Sequence, residues 1–210
     1  MKVYSYSLGL VETNCYIIEG DNELLVIDPS DNGSFINQKI EKFNKKVAGI
    51  LLTHAHFDHI GAVDDVVKKH GVKVYVHKEE KSWLTDTVKN GSKKFEMYQM
   101  PPVVQKTVPE VIEEGTHQIG EFEFEALHTP GHSPGSLSYV FGDFAIVGDT
   151  LFKGGIGRTD LYRGDTDTLM NAIEEKLLNL DPYTTIFPGH GPESTIQEEE
   201  MTNPYLNGFK

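Results

Sequence analysis

Apolar and polar positions alternate from the start of the chain, so Lys2–Leu8 reads as a strand. Two further strand candidates follow at Cys15–Glu19 and Leu24–Asp28. Phe35, Ile36, Ile40 and Phe43 then recur at helical spacing, which predicts a helix over about Ser34–Lys45 with Ser34 as its cap. The apolar run Val47–Leu52 reads as a buried strand, and a helix is expected from about Ile60 to His70, stopped by Gly71. Val72–His77 returns to strand. The stretch from Glu79 to Pro109 is less regular, carries Trp83, Phe95, Tyr98 and Pro101-Pro102, and predicts a helix plus a long loop. That loop reads equally as a lid or as a surface excursion with locally packed aromatics.

From Thr116 the pattern is again that of strands. Glu121–Leu127 alternates, and Ser136–Val140 pairs with Phe144–Val147 across Gly142-Asp143, a hairpin signal. Leu169, Ile173, Leu177 and Leu180 form one stripe of a helix over Thr166–Leu180. Thr184–Phe187 is a short strand, and Ser194 is placed to cap a last helix running through Glu200. Both halves of the chain therefore place strands before helices, which predicts two similar layers packed face to face with helices outside.

Four polar clusters each follow a strand-like apolar run. They are His54 to His59 after Ile50-Leu51-Leu52, Thr129 to His132 after Phe124–Leu127, Gly148-Asp149 after Ala145-Ile146-Val147, and Pro188-Gly189-His190 after Ile186-Phe187. Side chains on loops at strand ends can converge on one edge of a sheet. His54 and His56 are two apart and can face one side of an extended segment. Asp58 and His59 follow at the turn into a helix. His132 or Asp149 alone is an ordinary polar loop residue. Beside the first cluster they read as metal donors, because imidazole and carboxylate suit zinc and related metals. His54, His56, Asp58, His59, His132, Asp149 and His190 exceed the roughly four donors of one tetrahedral ion. Two ions fit better, with three private ligands each and one shared carboxylate.

Composition narrows the remaining possibilities. The 210 residues carry 19 Lys+Arg against 32 Asp+Glu, a formal charge of −13. That balance argues against broad nucleic-acid or anionic-membrane binding. No apolar run approaches the roughly 18 residues that span a bilayer, and no secretory signal is visible. A cytoplasmic location and one domain over residues 1–210 are expected. The single cysteine, Cys15, excludes an internal disulfide and a cysteine-based zinc cluster, and in an apolar strand it reads as a buried hydrophobe. His70, His77, His117 and His128 read as structural or surface positions. Gly154-Gly155-Ile156-Gly157 lacks the Lys-Ser/Thr of a phosphate loop.

The segment Thr53-His54-Ala55-His56-Phe57-Asp58-His59-Ile60-Gly61 resembles the HxHxDH signature of the metallo-β-lactamase-fold hydrolases. Thr129–Gly135, Gly148-Asp149-Thr150 and Pro188–Gly191 follow in that family's order, and Val26-Ile27-Asp28-Pro29 resembles its first Asp-containing turn. The likeness runs from Asn14-Cys15 to Asn203-Pro204. It implies an α+β fold, an αββα four-layer sandwich of two mixed sheets. It also implies a ligand set: His54, His56 and His132 for one metal, Asp58, His59 and His190 for the second, and Asp149 bridging. Two divalent ions per chain are implied, zinc first, with iron or manganese as alternatives.

Leu151–Asp160 is similar to the short glyoxalase II (hydroxyacylglutathione hydrolase) branch. The implied activity is hydrolysis of a small thioester, a metal-bound hydroxide attacking the carbonyl carbon and Asp58 helping to orient it. The departures concern glutathione recognition. The added helical domain of full-length glyoxalase II is not expected here. Arg158 and Asp160 replace the branch's Lys and Tyr, and His190-Gly191-Pro192-Glu193 replaces His-Glu-Tyr-Thr. Arg158 is the candidate contact to an anionic end of the substrate, with a salt bridge to Asp160 or Asp165 as the structural alternative. Arg158-Thr159-Asp160 also resembles the persulfide dioxygenases, which would use His54, His132 and Asp149 as an iron triad. A lactonase or other ester hydrolase of the same fold is a further competitor.

Overall fold

A computed structural model describes residues 1–99 and 101–207. The chain divides into two compact units, Met1–Ile112 with Gln118–Glu123, and Glu113–His117 with Phe124 onward.

In the first unit β1 (Lys2–Leu8), β2 (Thr13–Glu19) and β3 (Glu23–Ile27) form an antiparallel meander. After α1 (Gly33–Glu41), β4 (Lys46–Leu51) lies parallel to β3. The helical turn α2 (Phe57–Ile60) and α3 (Val63–His70) lead to β5 (Val74–Val76), and β6 (Glu110–Val111) completes a six-stranded mixed sheet in the order β1-β2-β3-β4-β5-β6. Its central strands are continuous apolar runs because both faces are covered. Leu24, Val26, Ile50 and Val74 pack with Ile36 and Ile40 of α1 and with Val63 and Val66 of α3.

The second sheet is built from β7 (Gly115–Ile119), β8 (Phe122–His128), β9 (Leu137–Val140), β10 (Phe144–Gly148), β13 (Thr185–Pro188) and β14 (Ser194–Thr195), in the order β14-β13-β10-β9-β8-β7. β10 and β13 are parallel, and β9–β10 is the expected antiparallel hairpin, with Gly142 at φ 74° in its turn. Between β10 and β13 lie a separate two-stranded hairpin, β11 (Leu151–Phe152) with β12 (Gly155–Ile156), and the helix α4 (Thr166–Ala172). α4 runs on as a wider π-turn over Ile173–Leu177, so the expected stripe Leu169, Ile173 and Leu177 is buried, against Ala145, Val147 and Ile186. α5 (Ile196–Thr202) is the last helix among the described residues.

Several boundaries differ from the sequence expectation. Asn32, not Ser34, caps α1, its side chain accepting from the Phe35 N–H at 3.2 Å. Thr195, not Ser194, caps α5, because the Thr195 hydroxyl accepts from Glu198 N–H at 3.1 Å. The predicted helix over Ile60–His70 is two pieces, interrupted where Ala62 N–H turns to the Pro29 carbonyl at 2.9 Å. The stretch from Glu79 to Pro109 holds no α-helix among its described residues, only 3₁₀ turns over Lys78–Glu80 and Ser92–Tyr98; Met100 falls outside the described residues. No helix among the described residues is long and apolar enough to cross a membrane.

Candidate metal centre

Each sequence-predicted donor lies where expected, just after a strand end. In the first unit β4 ends at Leu51 and the chain turns through His54, Ala55 and His56 into α2, which carries Asp58 and His59. The His54 ring centroid is 4.7 Å from that of His56 and 4.0 Å from that of His59. All three imidazoles are buried. Gly61 makes the turn possible: a Cβ there would lie 2.2 Å from the Ser30 carbonyl oxygen.

Asp28 orients this cluster. It follows β3, sits at φ 49° and is buried. Its Oδ1 accepts the Thr53 N–H at 2.7 Å, and its Oδ2 accepts the Thr53 hydroxyl at 2.6 Å and lies 2.9 Å from His59 Nδ1. Because the Thr53 hydroxyl is spent on Asp28, its oxygen is left to accept from His54 Nδ1, 3.1 Å away. Both imidazoles then carry their proton on Nδ1, and Nε2 keeps the lone pair that a metal requires. A left-handed backbone at a non-glycine residue is costly and tends to persist at functional sites. The family-like turn around Asp28 hinted at this role; its pairing with Thr53 and His59 is a product of the fold. Asp58 is held from another side, its Oδ2 accepting the Thr13 hydroxyl at 2.8 Å. The buried Glu80 accepts Ala55 N–H at 2.5 Å and steadies the loop between His54 and His56.

The second unit brings together His132, Asp149 and His190. Gly131, at φ 131°, lets the turn before His132 press against α4, where a Cβ would lie 2.3 Å from the Leu169 nitrogen. His132 Nδ1 donates to the Arg158 carbonyl at 2.8 Å, again leaving Nε2 as the donor atom. The Gly189 N–H binds the Gly148 carbonyl at 2.8 Å, which ties the loop after β13 to the one after β10.

The distances fit co-ligands on an ion. His132 Nε2 and His190 Nε2 each lie 3.5 Å from the same Asp149 oxygen, Oδ2, and in the first unit His59 Nε2 lies 3.5 Å from Asp58 Oδ2. A charge-assisted hydrogen bond would be about 2.7–2.9 Å. Two donors on one tetrahedral ion with bonds of about 2.0–2.2 Å stand roughly 3.3–3.6 Å apart. The side chains able to hold an ion are thus His54, His56, Asp58 and His59 in one unit and His132, Asp149 and His190 in the other. His190 is the most open of the second set, its side chain 29% exposed against 2% for His132.

The other singled-out residues have structural partners. The Arg158 guanidinium forms two 2.7 Å bonds to Asp160, and this pairing raises its pKa. Burial pushes the Cys15 thiol well above its ordinary range, so it is no nucleophile. His70 Nε2 lies 3.0 Å from Asn37 Oδ1, His117 Nε2 donates to the Glu113 carbonyl, His128 Nε2 donates to the Pro134 carbonyl, and His77 accepts from the Glu79 N–H. Gly154 and Gly155 belong to the β11–β12 hairpin, not to a phosphate loop.

The chain belongs to the metallo-β-lactamase superfamily, whose model matches residues 8–190. Among its relatives is a probable metallo-hydrolase, YqgX of Bacillus subtilis (strain 168), 46% identical over 100% of this chain and 99% of the relative. The hydroxyacylglutathione hydrolase GloC of Haemophilus influenzae is 35% identical over 99% of each chain. Among solved structures, the BLEG-1 B3 metallo-β-lactamase has a TM-score of 0.93 and 39% identity, covering 99% of this chain and 100% of that one. TTHA1623 in a di-iron-bound form has a TM-score of 0.84 and 34% identity, covering 97% and 100%. The expected α+β fold with two mixed sheets is therefore the fold of this chain.

Proposed function

We propose that this protein is a dinuclear metal-dependent hydrolase of small thioesters. The observation that carries the reading is the single oxygen of Asp149 standing 3.5 Å from both His132 and His190, a carboxylate common to two donor sets. His54, His56 and His132 would hold one ion and Asp58, His59 and His190 the other, with Asp149 serving both. Bound there, divalent ions supply a water acidified to near neutrality and a Lewis acid for the scissile carbonyl. Zinc, iron and manganese all suit imidazole and carboxylate donors; zinc is the first choice and the di-iron form of TTHA1623 keeps iron in play.

The chain's own residues supply orientation. Asp28 presents His54 and His59 through their Nε2 atoms, and Arg158 does the same for His132 through its backbone carbonyl. Thr13 fixes the Asp58 carboxylate, which orients the attacking water. A thiolate leaves readily, so no general acid is required. The full-length similarity to GloC supports a thioester, and an S-(2-hydroxyacyl) thiol is the leading substrate class. The Arg158 guanidinium meets the anionic end of that substrate by exchanging its exposed Asp160 partner. The small-molecule substrate, the −13 charge and a cytoplasmic setting belong to the same reading, with no nucleic-acid or membrane partner.

The test combines metal analysis with an anaerobic assay. Metal-replete protein should carry two ions and hydrolyse S-lactoylglutathione without oxygen. Arg158→Ala should raise KM for an acidic thioester more than for a neutral one, with metal content unchanged. Equal effects on both substrates would confine Arg158 to its bond with Asp160. Iron-dependent oxygen uptake with glutathione persulfide and no hydrolysis would replace the reading by the dioxygenase one. Hydrolysis of a lactone or a β-lactam in preference to every thioester would move the substrate class; the likeness to a B3 metallo-β-lactamase puts the β-lactam on that panel.

A further inference from the structure

The β11–β12 hairpin forms a sheet by itself, so no neighbouring strand fixes its position. It and the segment directly after it nevertheless reach two of the proposed ligands. The Phe152 ring stands edge-on to His190, centroids 6.1 Å apart. A few residues on, the Arg158 carbonyl accepts from His132 Nδ1, and Gly157 passes so close that a Cβ would lie 1.9 Å from the Asp149 carbonyl oxygen. Whatever holds this hairpin sets both imidazoles.

Apart from Leu151, which is buried in the apolar core, the polar hold on the hairpin comes from α5 and its C-cap residue. Glu199 and Asn203, one helical turn apart, are both fully buried. Glu199 Oε2 accepts the Gly154 N–H at 2.8 Å, and its other oxygen accepts the Ser194 hydroxyl. Asn203 Nδ2 donates to the Gly155 carbonyl at 3.0 Å, to Phe152 O at 3.4 Å and to Glu199 Oε2 at 2.8 Å. On the outside, Lys153 pairs with Glu198 at 3.0 Å. Burying a carboxylate and an amide is costly unless their bonds are made, and here the backbone of the hairpin makes them. Packing α5 alone would be served by apolar residues at both positions.

We propose that Glu199 and Asn203 are positioning residues for the metal centre, acting through the Leu151–Ile156 hairpin on His132 and His190. This rests on those histidines being ligands, as proposed above. The pair acts as an outer shell reaching the ligands through the backbone, and loss of such support typically costs roughly 10–100-fold in metal affinity. Glutamine at 199 keeps the contacts: its oxygen takes the Gly154 and Asn203 donors, and its amide donates to Ser194, whose hydroxyl turns to Glu198 Oε2, 3.0 Å away.

The experiment is zinc titration of the full-length chain by chelator competition, alongside melting temperature. Glu199→Ala and Asn203→Ala should bind zinc roughly 10–100-fold more weakly, and Glu199→Gln should restore near-wild-type binding. Ile196→Ala, which opens the apolar core that Leu151 shares but leaves the polar bonds from Glu199 and Asn203 to the hairpin intact, should lower the melting temperature but leave zinc affinity as in wild type. Should Glu199→Ala not fold, Glu199→Asp shortens the reach to Gly154 and carries the same expectation of weaker binding. Wild-type zinc affinity in Glu199→Ala, or in Glu199→Asp, overturns the proposal. So does a loss in Ile196→Ala as large as in Glu199→Ala. Wild-type protein that takes up fewer than two ions overturns the dinuclear reading instead.

Discussion

Asp28 shows how a residue that donates nothing to a substrate can decide a site. Three donors converge on its carboxylate, and two of the three paths lead to imidazoles. Asn tolerates a positive φ at least as well as Asp, so Asp28→Asn keeps the backbone and removes one acceptor. The amide must then face either Thr53 or His59 with a donor instead of an acceptor. The expected outcome is roughly a 10–100-fold loss of metal affinity, read by chelator competition, with a modest fall in melting temperature. Unchanged affinity would mean that His54 and His59 are oriented by other contacts. The candidate donors stood out in the sequence, since three imidazoles and a carboxylate within six positions have little structural use. Their supports did not. Thr13, Asp28, Glu80, Glu199 and Asn203 are ordinary strand, turn and helix residues until the fold brings them to a donor or its loop.

At the scale of elements, the longer strands and the β9–β10 hairpin followed from the apolar pattern, and each candidate donor cluster follows a strand end as predicted. Helix boundaries slipped where a side chain competed for the same role. Asn32 and Thr195 took caps that Ser34 and Ser194 were equally suited to by type, and Ser194 was drawn into the Glu199 cluster. The β11–β12 hairpin was hidden because its strands are two residues each, too short for any period. Its glycines give a sharp contrast. Gly155 has room for a methyl group, the nearest atom lying 3.8 Å from a built Cβ, whereas Gly157 meets the Asp149 carbonyl oxygen at 1.9 Å and His132 Cβ at 3.1 Å. Gly157→Ala must therefore displace the backbone that carries two ligands. It should cost about 3 kcal/mol or more by overpacking and deplete bound metal. Gly155→Ala should leave both nearly unchanged. Denaturant melts with elemental analysis would compare them, and equal behaviour would show that the Asp149 loop yields easily.

Over the whole chain, the first unit carries four of the seven candidate donors and the second carries three. Their order along the sequence was readable, and so was their surplus over one ion. The division of labour among them came only with the family resemblance, because spacing alone does not say which atom of a carboxylate faces which imidazole. Asp149 is the informative member. One of its oxygens stands at the same 3.5 Å from His132, in the set for one ion, and from His190, in the set for the other. A bridging carboxylate contributes to both affinities, so Asp149→Ala should weaken the binding of both ions, each by roughly 10-fold or more. His190 serves one ion only and lies at the more open end, so His190→Ala should lose one ion and retain the other at close to wild-type affinity. Equilibrium dialysis with elemental analysis at rising free zinc separates the two patterns. Two ions retained at wild-type affinity in Asp149→Ala would remove it from the bridging position. Parallel loss of both ions in His190→Ala would move the sharing to that histidine.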